Sequence, residues 1–244
     1  MDDKKIEYNM KIIIICILSS LATNIGFLFT FISKKYQDII LTLSLSLSGC
    51  LMILISITEL IPESLFLVEK GNKVIIFITS MLILIICNLI IKKINIKDNN
   101  ELKRVGILNA IGLFLHNIPE GIICATTSIK NIKLGIHTCL TIMIHNIPEG
   151  MSIAIPIYNA TQSRVEALKP TLISSLGELL GLLLSITLLR GRINNILLYI
   201  ILMSTAGIMI SISINNTLKE LKDKNKIINL IGLLISVGII MILK

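Results

Sequence analysis

His116-Asn117-Ile118-Pro119-Glu120-Gly121 recurs letter for letter as His145-Asn146-Ile147-Pro148-Glu149-Gly150, 29 residues later. Each copy falls near the middle of an otherwise apolar run, the first in residues 105–127 and the second in 132–158. On a helix, His and Glu four residues apart lie about 40° apart and point the same way. Asn117 and Asn146, each three residues before a Glu, widen the same polar arc. Pro119 and Pro148 cannot donate to the helical ladder, so each frees a carbonyl four residues back, at Leu115 and Ile144. Gly121 and Gly150 are expected to let the two helices approach each other closely. A short turn at 128–131 makes the two runs antiparallel, so the two hexapeptides meet face to face.

The rest of the chain says what surrounds them. Of 244 residues, 54% are hydrophobic and only 16% charged, and there is no Trp. Mean hydropathy is +0.87. A membrane span needs about 20 apolar residues, and the expected spans are 11–33, 38–62, 73–92, 105–127, 132–158, 169–190, 193–216 and 226–243. The fold class expected is an all-α membrane protein with eight transmembrane helices, forming one polytopic domain over 1–244. No stretch is long and polar enough for a separate soluble domain. The first run, 12–28, follows Lys4, Lys5 and Lys11 as a signal peptide would. It lacks a clear small-residue cleavage site, and we take it as the first span.

The net charge of +8 comes from 23 basic against 15 acidic residues. Nearly all the cations sit at span ends or in loops, which explains the charge without nucleic acid. With an even span count both termini share one side. The opposite side, which includes the loop 92–104, carries thirteen of the 23 cations. The positive-inside bias then places that loop in the cytosol and the termini outside the cytoplasmic membrane. The five cysteines, Cys16, Cys50, Cys87, Cys124 and Cys139, lie in apolar runs without a metal-finger or redox spacing, and are expected to be reduced packing residues. The wealth of Ile, Lys and Asn is attributed to codon usage rather than chemistry.

Ten of the fifteen acids lie in tails and loops; Glu59, Glu63, Glu120, Glu149 and Glu178 lie within or at the ends of spans. A charge at mid-bilayer costs roughly 3 kcal/mol on insertion scales. Glu120, Glu149 and Glu178 fall near the middle of spans four, five and six, and three such groups at one depth call for a shared cation. Two imidazoles, two carboxylates and two amides suit Zn²⁺, or Fe²⁺ and Mn²⁺ at similar sites. Mg²⁺ and Ca²⁺ prefer all-oxygen shells. A single His or Asn in a membrane helix is more often interhelical glue, and a single Pro a kink; two identical copies with Glu178 outweigh that reading. His137 is expected at a mouth or in packing. Cys124 is read as packing, and Ser44, Ser46 and Ser48 as support for close helix contact.

With these residues the chain resembles the ZIP (Zrt/Irt-like protein) metal transporter family, most closely its bacterial zinc-uptake branch, the ZupT type. The doubled His-Asn-x-Pro-Glu-Gly carries the likeness. Ser56-Ile-Thr-Glu-Leu-Ile-Pro, Ser175-Leu-Gly-Glu-Leu-Leu-Gly and Ala206-Gly-Ile-Met-Ile-Ser-Ile-Ser extend it. The resemblance implies a binuclear centre, with His116, Glu120, His145 and Glu149 holding the first metal. Asn117, Asn146 and Glu178 complete a second position, bridged by Glu120 and Glu149. It implies an inverted repeat of helices 1–3 and 6–8 around helices 4–5, a homodimer, and alternating access. Glu59 and Glu63 read either as an outer access funnel or as a solvated helix terminus. Two departures stand out. The 92–104 loop has no His, so metal sensing there is not expected, and Asn215-Asn216 replace acids at the end of span seven.

The function expected is import of Zn²⁺, with Fe²⁺, Mn²⁺ and Cd²⁺ as further substrates, across the lipid bilayer of the cytoplasmic membrane. No organic cofactor is called for, and no Gly-x-x-x-x-Gly-Lys-Ser/Thr loop is present to couple ATP. The rival from another class is an intramembrane metal-dependent hydrolase, which would want a His-Glu-x-x-His helix that the chain lacks. A metal sensor would want a cytosolic partner domain.

Overall fold

The computed structural model describes residues 2–68, 71–94, 96, 98–187, 194–222 and 224–243, with backbone alone for 2–9, 34, 130, 216, 220 and 243. Among them there is no strand. The helices are α1 (Asp2–Ile25), α2 (Gln37–Ile55), α3 (Ile61–Leu67), α4 (Lys73–Lys93), α5 (Glu101–Lys130), α6 (Ile132–Thr161), α7 (Arg164–Thr187), α8 (Asn195–Ile212) and α9 (Lys226–Leu243). A tight 3₁₀ stretch, Gly26–Phe31, extends α1. One wide π turn, Ser56–Leu60, joins α2 to α3, and another, Ser213–Thr217, follows α8.

Among the described residues, six stretches are long and apolar enough to cross a membrane: Met10–Phe31, Gln37–Leu67, Lys73–Lys93, Glu101–Ile129, Arg164–Thr187 and Asn195–Asn215. α6 is as long as α5, 30 residues each, but His145, Asn146, Glu149 and two prolines interrupt its apolar run. The apolar helix Lys226–Ile242 is shorter. By length and composition the chain is a multi-pass membrane protein.

Asparagine side chains start five of the helices. Asn72 accepts from the Val74 and Ile75 amides, Asn100 from Lys103, and Asn131 from Lys133 and Leu134. Asn194 accepts from Leu197, and Asn225 from Ile227 and Ile228. Each satisfies amide groups that have no partner within the first helical turn. The asparagines therefore do structural chemistry in the loops, which the codon-usage reading missed.

Several boundaries move from their expected places. α7 begins at Arg164 rather than 169, with Pro170 inside it. The break is the two-residue turn before it: Gln162 is left-handed at φ 53°, and Ser163 Oγ accepts the Glu166 amide at 3.3 Å. The second span runs on to Leu67. The breaks at Glu69–Lys70 and Arg190-Gly-Arg, and Lys97 of the long loop, lie outside the described residues. At that loop, Lys103 Nζ sits 3.2 Å from Glu166 and 3.6 Å from Asp98.

The main core lies between α2, α5, α6, α8 and α9, where Leu51, Met52, Leu113, Ile153, Met209 and Ile212 are fully buried. Ser46 donates to the Asn229 carbonyl at 2.8 Å, and Ser236 to that of Leu47 at 3.1 Å. The serine run thus does sit at a close contact, between α2 and α9. The cysteine expectation needs correction. Cys124 and Cys139 are joined in a disulfide, because the hairpin turn at Asn131 brings them level on facing helices. Cys16, Cys50 and Cys87 are free thiols.

Candidate metal centre

α5 and α6 carry the two hexapeptides, and both helices run through Pro119 and Pro148 without ending. Antiparallel alignment sets His116 level with Glu149 and Glu120 level with His145. His116 Nε2 lies 3.2 Å from Glu149 Oε2, and His145 Nε2 lies 3.2 Å from Glu120 Oε1. The shared helix face expected for each His and Glu is present, yet each pairs with the other helix. All four are buried, none more than 4% exposed.

α7 supplies a third wall. Asn117 Nδ2 donates to the Ser174 carbonyl at 3.0 Å, and Asn146 Nδ2 donates to Glu178 Oε2 at 3.0 Å. The glycines act differently from expectation. A Cβ on Gly121 would strike the Glu178 carbonyl of α7, and one on Gly150 the Thr23 carbonyl of α1. Neither glycine serves the α5–α6 contact. Each lets its hexapeptide press against a separate flanking helix, in a near-symmetric arrangement.

Each of the seven residues holds one buried atom with no hydrogen-bond partner: His116 Nδ1, Asn117 Oδ1, Glu120 Oε2, His145 Nδ1, Asn146 Oδ1, Glu149 Oε1 and Glu178 Oε1. With the imidazoles donating from Nε2 to the carboxylates, Nδ1 is the bare acceptor. All seven are then lone pairs without a donor. Buried polar atoms left unpaired cost free energy, and a cation would satisfy many of them at once. They do not close into a cage. Among the described residues, no three His or Glu ligand atoms lie within 4.8 Å of one another.

A cavity of about 320 Å³ leads to this centre from one end of the bundle. Glu59, Glu63 and His137 line its outer part, and Glu120 and His145 its inner part. Glu59 sits within the π turn, a form of helix often found at functional sites. His137 therefore stands at a mouth. The His116–Glu149 pair and Glu178 do not line the cavity.

The acid-to-amide change at Asn215 also has a structural setting. Its Nδ2 donates to Asn88 Oδ1 at 2.9 Å and to the Ser211 carbonyl at 2.8 Å. It is tied into an α4–α8 contact. The Asn216 side chain lies outside the described residues. Sequence reasoning missed the α1–α7 link beside the centre. Ser20 Oγ donates to the Ser175 carbonyl at 2.7 Å, and Asn24 Nδ2 to Ser175 Oγ at 3.0 Å. An amide within the first apolar run was the available signal.

The fold and site define a multi-pass membrane protein with a polar centre buried between antiparallel helices. The chain belongs to the ZIP zinc transporter family, whose sequence pattern matches residues 92–244. It is similar to proteins named zinc transporter ZupT in several bacteria. That of Chlorobaculum parvum is 34% identical over 85% of this chain and 86% of its own length. That of Streptococcus mutans is 32% identical over 87% and 88%, and that of Escherichia coli O127:H6 33% over 86% of each. These relatives are named as transporters, which favours the transporter reading over the hydrolase one.

Proposed function

We propose that this chain imports Zn²⁺ across the cytoplasmic membrane, with Fe²⁺, Mn²⁺ and Cd²⁺ as competing substrates. The observation that carries the reading is the set of seven buried, partnerless lone pairs on His116, Asn117, Glu120, His145, Asn146, Glu149 and Glu178. The relatives named as zinc transporters support it.

The ion enters past Glu59 and Glu63 and sheds water against Glu120 and His145, the pair that the cavity reaches. Small side-chain rotations then bring His116 and Glu149 to the same ion. Imidazole and carboxylate ligands at about 2.0–2.2 Å suit zinc. Asn117, Asn146 and Glu178 complete a second position, with Glu120 and Glu149 bridging the two. Binding displaces the proton that each His–Glu pair shares. Passage onward follows alternating access, helices 1–3 and 6–8 forming inverted halves around the α5–α6 hairpin, eight spans in all. The termini face outward and the 92–104 loop inward.

The assembly is a homodimer. α4 buries only 17% of its apolar window, so most of its face is left for lipid or a second copy. Intermolecular cross-linking through single cysteines on that face tests this part.

Zinc flux into proteoliposomes holding the purified protein tests the whole. Uptake is expected from the parent and lost in Glu120→Ala/Glu149→Ala. A folded, zinc-binding parent that moves no zinc overturns the reading.

A further inference from the structure

Cys16, Cys124 and Cys139 have no part in the transport path just described. They come from three helices, α1, α5 and α6, and all three are fully buried. Cys124 and Cys139 are bonded across the hairpin, and Cys16 Sγ lies 2.9 Å from Cys124 Sγ. Among the described residues, these sulfurs form the one set of three His, Cys, Asp or Glu ligand atoms within 4.8 Å of one another. Ile12, Ala125, Ile142 and Leu182 surround them.

We propose that the reduced form of this trio is a second metal site, which takes a soft divalent cation of the Cd²⁺ class in threefold sulfur coordination. Packing alone does not require three helices to aim their sulfurs at one point. An ion the size of zinc, about 2.3 Å from each of three sulfurs, sets them about 4 Å apart, and the larger Cd²⁺ somewhat more. All three sulfurs lie within 4.8 Å of one another, and once the Cys124–Cys139 bond is reduced they have only to move apart to that spacing. Thiolate donors select soft ions and disfavour hard ones. The apolar wall sets the charge. Two thiolates, one thiol and a divalent ion are neutral together, so the trio can hold such an ion without leaving a net charge in oil.

The site opens by thiol–disulfide exchange with a membrane-permeant dithiol. The dithiol becomes a cyclic disulfide, and Cys124 and Cys139 gain its two electrons and two protons. The metal then replaces two thiol protons, which leave to water. No sulfur belongs to the His/Glu centre, so failure here leaves the transport reading standing, and a protein that moves no zinc can still carry this site.

The test uses the full chain, reduced with such a dithiol, freed of it without oxygen, and titrated with CdCl₂. The readout is the ultraviolet sulfur-to-cadmium charge-transfer band, to which imidazole and carboxylate ligands contribute nothing. One Cd²⁺ per chain is expected in that band. Cys16→Ser should weaken its binding at least tenfold, and Cys50→Ser/Cys87→Ser should leave it unchanged. Because Cys16→Ser could fail to fold, maleimide labelling of the parent with peptide mapping gives a second reading: Cd²⁺ should protect Cys16, Cys124 and Cys139 together. A reduced, folded protein without the band, or with fewer than these three thiols protected, overturns the proposal.

Discussion

Asn146 donates to Glu178 at 3.0 Å in a region without water-facing surface. Take the amide away and the carboxylate keeps its burial but loses the donor that fixes this oxygen. Asn146→Ala should therefore lower zinc affinity by roughly tenfold to a hundredfold, as loss of groups that orient metal ligands does. Calorimetric titration of the purified variant checks it, and unchanged affinity would remove Glu178 from the centre. At this scale the sequence was informative about identity and poor about partners. The doubled hexapeptide named six of the seven residues, and Glu178 followed from its depth. That His116 faces Glu149, and His145 Glu120, depends on how two helices align, which no local spacing encodes. The Cys124–Cys139 bond was missed for the same reason, since its partners are neighbours only across a hairpin.

Among the elements, the glycines separate contact from propensity. At Gly150 a Cβ would meet the Thr23 backbone, so α6 and α1 must part. Gly150→Ala should cost about 1–3 kcal/mol, the usual price of overpacking, and should impair flux. Gly238 in α9 has nothing within 4 Å of the same position, and Gly238→Ala should gain up to about 1 kcal/mol from helix propensity. Thermal unfolding in detergent ranks the two, and equal effects would contradict the packing account. A cap makes a milder case. Asn131→Ala removes the acceptor for the Lys133 and Leu134 amides and should cost about 1 kcal/mol, with zinc binding intact. Helix existence was legible from apolar run length. Boundaries were less so: Pro170 looked like a break, while Gln162 and Ser163, which make the turn, carry no equally loud signal.

For the molecule as a whole, the proposed function has protons and zinc contend for the same imidazoles. Binding a metal expels protons, so affinity must rise with pH. With no pH difference across the membrane, zinc binding should weaken as pH falls, because protons occupy the nitrogens the metal needs. Equilibrium titrations at several pH values measure this, and affinity that is flat or higher in acid would exclude the histidines as ligands. Orientation has its own test. A cysteine at Asn99, exposed in the loop before α5, should react with an impermeant maleimide only after the cells are opened. Labelling of intact cells would invert the topology. The all-helical, multi-pass nature of the chain was plain from composition. The access cavity was not, because its walls come from α2, α3, α5, α6 and α8, far apart in sequence.

The wide turn at Ser56–Leu60 amounts to a helix that has taken in one surplus residue. Removing that surplus, for instance Ile57, would let regular spacing resume with Glu63 near its present face, whereas a deletion in the regular turns of α2 that the wide turn did not absorb would swing the rest of that helix by about 100°. In that second case Glu63 would turn from the cavity while both His–Glu pairs stayed as they are. Insertions and deletions that the turn does not absorb are thus not neutral for a descendant of this chain, even where every ligand survives. Counting residues through the turn, as well as matching their letters, tells which relatives keep an acid at the mouth.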